Sequence, residues 1–332
     1  MTRNIKEFVN HPRSYSASPF PADAGEDHVC VLLALYNGAR TLGAQLESIE
    51  AQSHQDWSII ISDDGSSDDW LPIVERFAQR RGPGRTWVTR GPQQGYARNF
   101  LSLVTQAGPM VPYVAFCDQD DVWLKQKLDR ALSHLKTLPP GIPAIYTGRT
   151  MICDDEMRQL RPSLLFKKPP TFGNALVQSI GGGNTMVLNR AALDLLQDTA
   201  SKATGIVSHD WWAYQLITGA GGTICYDRTP TVLYRQHDGN LVGANDTLLA
   251  SLARLGRLAK GHFQDWNTAN IAALLKVRPL LNPTAQGILD DFVAARSRPL
   301  IRRLCALKKS GVRRQTRRGT LALWLAAILN RL

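Results

Sequence analysis

Four short apolar runs, each closed by polar residues, constrain this chain more than any other feature. Val29-Cys30-Val31-Leu32-Leu33-Ala34-Leu35 is uninterrupted, the pattern of a strand covered on both faces. Trp57 to Ile61 is a second run, Trp87-Val88 a weaker third, and Tyr113 to Cys117 the fourth. Leu42, Leu46 and Ile49, then Leu71, Val74 and Phe77, then Leu124, Leu128, Leu132 and Leu135 follow at helical spacing. Strand, turn and helix alternating through about residue 138 predict an α/β, doubly wound, mostly parallel sheet.

Ligands of such sheets bind outside the carboxyl ends of the strands. Leu35-Tyr36-Asn37, Asp63-Asp64 and Asp118-Gln119-Asp120-Asp121 all fall there. Carboxylates packed as closely as the last set raise one another's pKa unless a cation sits between them. Mg²⁺ and Mn²⁺ suit that position, since they take oxygen ligands and usually only one or two from protein. The bland alternative is that Asp120 and Asp121 cap a helix beginning near Leu124. Three polar clusters at corresponding strand ends favour a site, with Asp121 left as the plain helix cap. No Gly-x-Gly-x-x-Gly or P-loop motif is present, which disfavours a dinucleotide or P-loop fold.

Beyond residue 140, residues 144–147, 185–188 and 231–237 read as strands. Gly181-Gly182-Gly183-Asn184 reads as a close backbone approach, and Ser208-His209-Asp210-Trp211-Trp212 as the start of a helix. From Leu248 the apolar spacing is helical, interrupted at Pro279, Pro283 and Pro299. The expected organisation is a polar arm (1–27), a domain of two halves (28–138 and 139–245) and a helical C-terminal region (246–332).

The set Leu35-Tyr36-Asn37-Gly38, Ser62 to Asp68, Phe116 to Asp121 and His209 to Trp212 resembles the inverting family 2 glycosyltransferases. Tyr234-Arg235-Gln236-His237 adds a likeness to their bacterial rhamnosyltransferase branch. The resemblance implies an A-type glycosyltransferase fold, a nucleotide-diphosphate sugar donor, Mg²⁺ or Mn²⁺, and single displacement at the anomeric carbon. It implies Asp120 as metal ligand, Asp118 as ribose or indirect partner, and Asp63 and Asp64 as readers of a pyrimidine base. Leu35, Tyr36, Asn37 and Arg98 join the donor site, although a surface role suits Arg98 nearly as well. His237 is a candidate second metal ligand, or a structural histidine.

By the same resemblance Asp210 is the general base, taking the acceptor hydroxyl's proton opposite the diphosphate. Gly182, Gly183, Asn184, Trp211, Trp212 and Arg235 are candidate acceptor or substrate contacts. The tryptophans fit core burial as well as a sugar-stacking platform. The resemblance implies dTDP-rhamnose as donor and a lipid-linked glycan as acceptor, in O-antigen-type synthesis. Another UDP- or dTDP-hexose, or a sugar-phosphate nucleotidylyltransferase, is the alternative.

Charge adds one more constraint. The chain carries 39 Lys and Arg against 28 Asp and Glu over 332 residues. No acidic residue follows Asp291, whereas eleven basic ones do, so the tail holds the whole excess. A confined excess points to a local anionic surface rather than nucleic acid. The apolar stretch from Leu321 to Leu329 measures roughly 14 Å as helix, too short to cross a bilayer but suited to lying in its plane. Five scattered cysteines, with no Cys-x-x-Cys pair, suit a reducing compartment. No basic-then-apolar leader opens the sequence and no run of 18 apolar residues exists. The expectation is a cytoplasmic protein held peripherally on the inner face of the membrane.

Overall fold

The computed structural model describes residue 21 and residues 24–139, 141–236 and 262–332. Of the expected arm, only residues 21 and 24–27 are among them. Two compact units emerge, drawn from interleaved segments. Residues 164–180 and 201–224 group with the C-terminal helices rather than with their sequence neighbours.

The first unit is built on a nine-stranded sheet. Strands β1 (Val29–Leu35), β2 (Trp57–Asp63), β3 (Thr86–Arg90) and β4 (Tyr113–Asp118) lie parallel in the order β3-β2-β1-β4. Helices α1 (Ala39–Glu50), α2 (Leu71–Arg81) and α3 (Tyr96–Gln106) fill the crossovers. Strand β1 is central, so both its faces are covered, and its residues other than Ala34 are essentially inaccessible. That burial is what an unbroken apolar run demands. Trp57 stacks on Phe77 at 6.2 Å, and the Arg81 guanidinium lies 3.7 Å over the indole. This arrangement covers the indole's outer face at a site where apolar burial contributes about 1.5–3 kcal/mol per large side chain.

Beyond β4 the sheet changes sense. Strands β5 (Val122–Trp123), β6 (Ala144–Cys153), β8 (Val187–Asn189) and β9 (Thr223–Arg235) continue it in the order β8-β6-β9-β5, with β7 (Gln159–Pro162) beside β6. Strand β8 pairs antiparallel with both β4 and β6, and β5 antiparallel with β9. Helix α4 (Lys127–Leu135) follows β5, and α5 (Arg190–Thr199) follows β8. The helix expected near Leu124 therefore starts three residues later. Trp123, almost wholly buried, is held in β5 opposite Val232, and this pairing outcompetes an earlier helix start.

Strand ends are level where it matters. Ala34 lies opposite Asp118 and Leu35 opposite Asp63, and Asp63 in turn lies opposite Arg90. The polar clusters thus share one edge of the sheet.

The second unit is helical. It contains α6 (His209–Gly219), α7 (His262–Lys276), α8 (Pro283–Ser297), α9 (Leu300–Ser310) and α10 (Arg317–Ile328). The prolines act as the sequence suggests: Pro279 lies in a short 3-10 turn, Pro283 opens α8 and Pro299 caps α9. Asn282 caps α8 by accepting from the Ala285 N–H (2.8 Å), and Thr316 caps α10 through Gly319 (2.9 Å), as such side chains do for orphan helix donors. No helix among the described residues is long and apolar enough to cross a membrane.

Candidate active site

Three loops at the carboxyl edge of the parallel strands are tied into one another. After β1, the Tyr36 N–H donates to Gln119 Oε1 (2.7 Å) and Gln119 Nε2 donates back to the Tyr36 carbonyl (2.9 Å). Gln119 thereby locks the first loop to the acidic loop through two reciprocal bonds. Gly38 leaves room for it, because an added Cβ would stand 2.5 Å from the Gln119 amide and displace it. Asn37 adopts φ 49°, a left-handed conformation that asparagine tolerates better than most residues. Its Oδ1 accepts from the Ser67 N–H (2.8 Å), and its own N–H donates to Ser66 Oγ (2.8 Å). Asp68 reaches back to accept from the Ala39 N–H at the start of α1 (2.7 Å).

The two aspartates after β2 divide their work. Asp64 is buried, and its oxygens accept from the Gln93 N–H (2.6 Å) and the Gly95 N–H (3.1 Å). It braces the turn before α3. Asp63 is half-buried and accepts from the Ser66 N–H (3.0 Å), leaving it as the more open carboxylate. The Leu35 side chain lies in the core and its carbonyl already accepts from the Asp64 N–H (2.8 Å), so Leu35 is a scaffold residue, not a ligand contact. Tyr36, by contrast, is exposed. Arg98 sits half-buried in the first turn of α3, with Nη1 3.5 Å from the Ala200 carbonyl.

The acidic loop splits into an outer and an inner part. Asp118 and Asp120 are half-buried at the end of β4. Asp121 is 1% exposed and caps no helix, which corrects the sequence expectation. Its Oδ2 accepts from Asn184 Nδ2 (2.5 Å) and its Oδ1 from the Arg235 N–H (3.3 Å). Burial pushes its pKa well up, and the nearby Asp118 and Asp120 charges push it further, as an enclosed carboxylate beside like charges must behave. Asn184 and Arg235 are buried too, and Arg235 Nε donates to the Asp120 carbonyl (3.2 Å). Both are corrected from acceptor contacts to supports of the acidic loop. Gly183 is buried, whereas Gly182 remains exposed.

Lys127 was not foreseen. It is fully buried, with Nζ 3.5 Å over the Trp123 ring, and burial pulls its pKa down to about 7 while Cys117 and Asp121 oppose that shift. The signal was available: Lys127 shares a helix face with Ala131 and Leu135, both buried.

The donor set of the acidic loop fits a hard cation. Two carboxylates, Asp118 and Asp120, present oxygen only, matching the one or two protein ligands that Mg²⁺ or Mn²⁺ accepts. Among the described residues, no three His, Cys, Asp or Glu side chains converge to hold a metal by themselves. His237 lies outside the described residues.

In the second unit, Asp210 occupies the first turn of α6, half-buried. Its Oδ1 accepts from the Trp211 N–H (2.8 Å) and the Ser208 hydroxyl, while Oδ2 has no partner among the described residues. A carboxylate so placed is oriented through one oxygen and available through the other. Trp211 and Trp212 are both buried, and Trp211 Nε1 donates to the Ala175 carbonyl (2.6 Å). Neither ring is open to a sugar, so the stacking platform is corrected to core packing. His209 is also buried, which pulls its pKa down to about 4.

The glycosyl transferase family 2 profile matches residues 30–195. The dTDP-rhamnosyl transferase RfbG of Shigella flexneri is 30% identical over 278 residues, covering 80% of this chain and 92% of that protein. The chain belongs to glycosyl transferase family 2. A second relative of this glycosyltransferase, the Escherichia coli protein named UDP-Glc:alpha-D-GlcNAc-diphosphoundecaprenol beta-1,3-glucosyltransferase WfgD, is 28% identical over 50% of the chain and 62% of its own length. The S. aureus TarS structure in complex with UDP-GlcNAc superposes with a TM-score of 0.50 at 14% identity, covering 85% of this chain and 90% of that one. At that identity the likeness concerns the fold alone, and it agrees with the A-type glycosyltransferase fold expected from the motifs. Family membership also sets aside the nucleotidylyltransferase reading.

Proposed function

We propose that this glycosyltransferase moves L-rhamnose from dTDP-rhamnose to a lipid-linked glycan acceptor in the synthesis of a bacterial O-antigen-type surface polysaccharide. The observation that carries the reading is the near full-length similarity to the dTDP-rhamnosyl transferase RfbG. Tyr36 and the half-buried Asp63 face the nucleotide, with Asp63 accepting the pyrimidine N3–H, and Arg98 contributes a fixed fork of donors suited to phosphate. Asp120 would hold Mg²⁺ or Mn²⁺, with Asp118 as the ribose or indirect partner, and the bound ion would neutralise charge developing on the departing diphosphate.

Asp210 takes the proton of the acceptor hydroxyl through Oδ2 while Ser208 and the Trp211 N–H hold Oδ1. The acceptor oxygen forms its bond to the anomeric carbon as the bond to the diphosphate breaks, inverting that centre. A general base of this kind contributes about 10²–10⁴-fold to rate.

The test is a donor panel. Purified protein with Mg²⁺ or Mn²⁺ is incubated with dTDP-rhamnose, UDP-glucose and UDP-GlcNAc, each with a lipid-linked acceptor. Selective consumption of dTDP-rhamnose supports the reading. Selective use of UDP-glucose would favour the second reading, which rests on the similarity to WfgD.

A further inference from the structure

Helix α10 has an unusual distribution of side chains. Leu323, Ala326 and Ala327 are buried and pack it onto its unit. Arg303 Nη1 donates to the Ala327 carbonyl (2.9 Å), tying α9 to it. The opposite face has no packing role, and on a water-facing helix it would be polar. Instead it carries Leu321 (69% exposed), Leu325 (40%), Ile328 (51%) and Leu329 (55%). Their spacing of four, three and one residues puts all four on one side. From Leu321 to Ile328 the helix is apolar all round yet buried on one side only.

Charge indicates what covers the other side. Arg317 and Arg318 stand on that same face, one turn before Leu321, and Arg331 follows the helix; all three are exposed. Arg298, Arg302, Lys308 and Arg313 are exposed as well. None of these seven side chains has a hydrogen-bond or ion-pair partner among the described residues, and no acidic residue follows Asp291 to supply one. Ile301, 78% exposed in the first turn of α9, adds another apolar side chain to this basic region.

We propose that the outer face of α10 is a docking surface for an anionic lipid bilayer. Leu321, Leu325, Ile328 and Leu329 enter the headgroup–acyl boundary while Arg317, Arg318 and Arg331 meet acidic headgroups. An in-plane helix binds by this combination of apolar burial and electrostatic attraction, and neither alone gives stable attachment. A protein partner would need acidic residues ringed around an apolar groove, whereas a bilayer offers both properties over an unlimited area. The inference does not depend on which sugar is transferred.

The experiment is co-sedimentation of the full chain with sucrose-loaded vesicles of phosphatidylcholine alone or with 30% phosphatidylglycerol, in about 0.1 M salt. Binding is expected to the phosphatidylglycerol vesicles only and to weaken as salt rises. Arg317→Gln with Arg318→Gln lowers the partition coefficient about 30-fold. Leu321→Ser, Leu325→Ser and Ile328→Ser together lower it by more than about 100-fold. These side chains are exposed, so the variants keep the wild-type circular dichroism and melting temperature. Two results overturn the proposal: wild-type protein left in the supernatant with both vesicle types, or variants that bind as tightly as wild type. A third also does so: the triple serine variant changes from dimer to monomer by light scattering with vesicle binding intact, which would assign the face to a second copy of the chain.

Discussion

Asn184 donates its side-chain amide to the buried carboxylate of Asp121 at 2.5 Å. The bond joins the turn before β8 to the acidic loop after β4, and the Arg235 N–H completes the clasp from β9. Asp121 therefore does not meet substrate; it fixes the backbone from which Asp118 and Asp120 project.

Removing the amide tests that role. Asn184→Ala leaves a buried acceptor short of a partner, a loss of about 1–3 kcal/mol. Thermal or urea denaturation should show it, and a cycle with Asp121→Ala should give a coupling of roughly 0.5–3 kcal/mol. Strictly additive losses would mean that the two residues act independently.

Gln119 and Gly38 give a second prediction. Gly38→Ala sets a Cβ 2.5 Å from the Gln119 amide and displaces it from Tyr36. With about 1 kcal/mol lost for each of the two hydrogen bonds, donor binding weakens about 30-fold. Gln119→Ala should weaken it equally, and the double variant no further, because both changes remove the same contact. Titration calorimetry with the donor nucleotide measures this, and a doubly weakened double variant would refute the shared cause.

Asp120 and Asp210 should fail differently. Asp120→Ala is expected to lower turnover by several orders of magnitude and to remove the dependence of donor binding on Mg²⁺ or Mn²⁺. Asp210→Ala should lower kcat by about 10²–10⁴-fold and leave donor affinity unchanged. Equal donor Kd values across a Mg²⁺ titration in wild type and Asp120→Ala would remove Asp120 from the metal site.

These residues also mark how far the sequence could be read. The unbroken run from Val29 to Leu35 announced a central strand, and Asp63 and Asp118 duly close neighbouring strands level with it. What stayed hidden was long-range. Asp121 and Asn184 are 63 residues apart, and Asp121 and Arg235 are 114 apart. Local spacing therefore read Asp121 as a helix cap, while the other two were candidate substrate contacts only by their place in the motifs. The helix was expected near Leu124 because the strand partner of Trp123, Val232, enters from β9. Gln119 was passed over because its value lies in the distance to Tyr36, which only the folded sheet defines.

His209 provides a prediction in pH. Burial holds its folded pKa at about 4 against 6.5 for the free side chain. Between those values the unfolded chain binds the proton and the folded chain does not, so stability rises with pH through that window and is lost on acidification. Near pH 4 the loss attributable to this residue approaches about 3 kcal/mol. His209→Gln, which cannot titrate, should flatten the stability curve between pH 6.5 and 4 relative to wild type. His28, also buried with its pKa lowered, contributes with the same sign, so the variant retains part of the slope. Denaturant midpoints at half-unit pH intervals measure the difference, and parallel curves for the two proteins would show that His209 is not kept neutral by its surroundings.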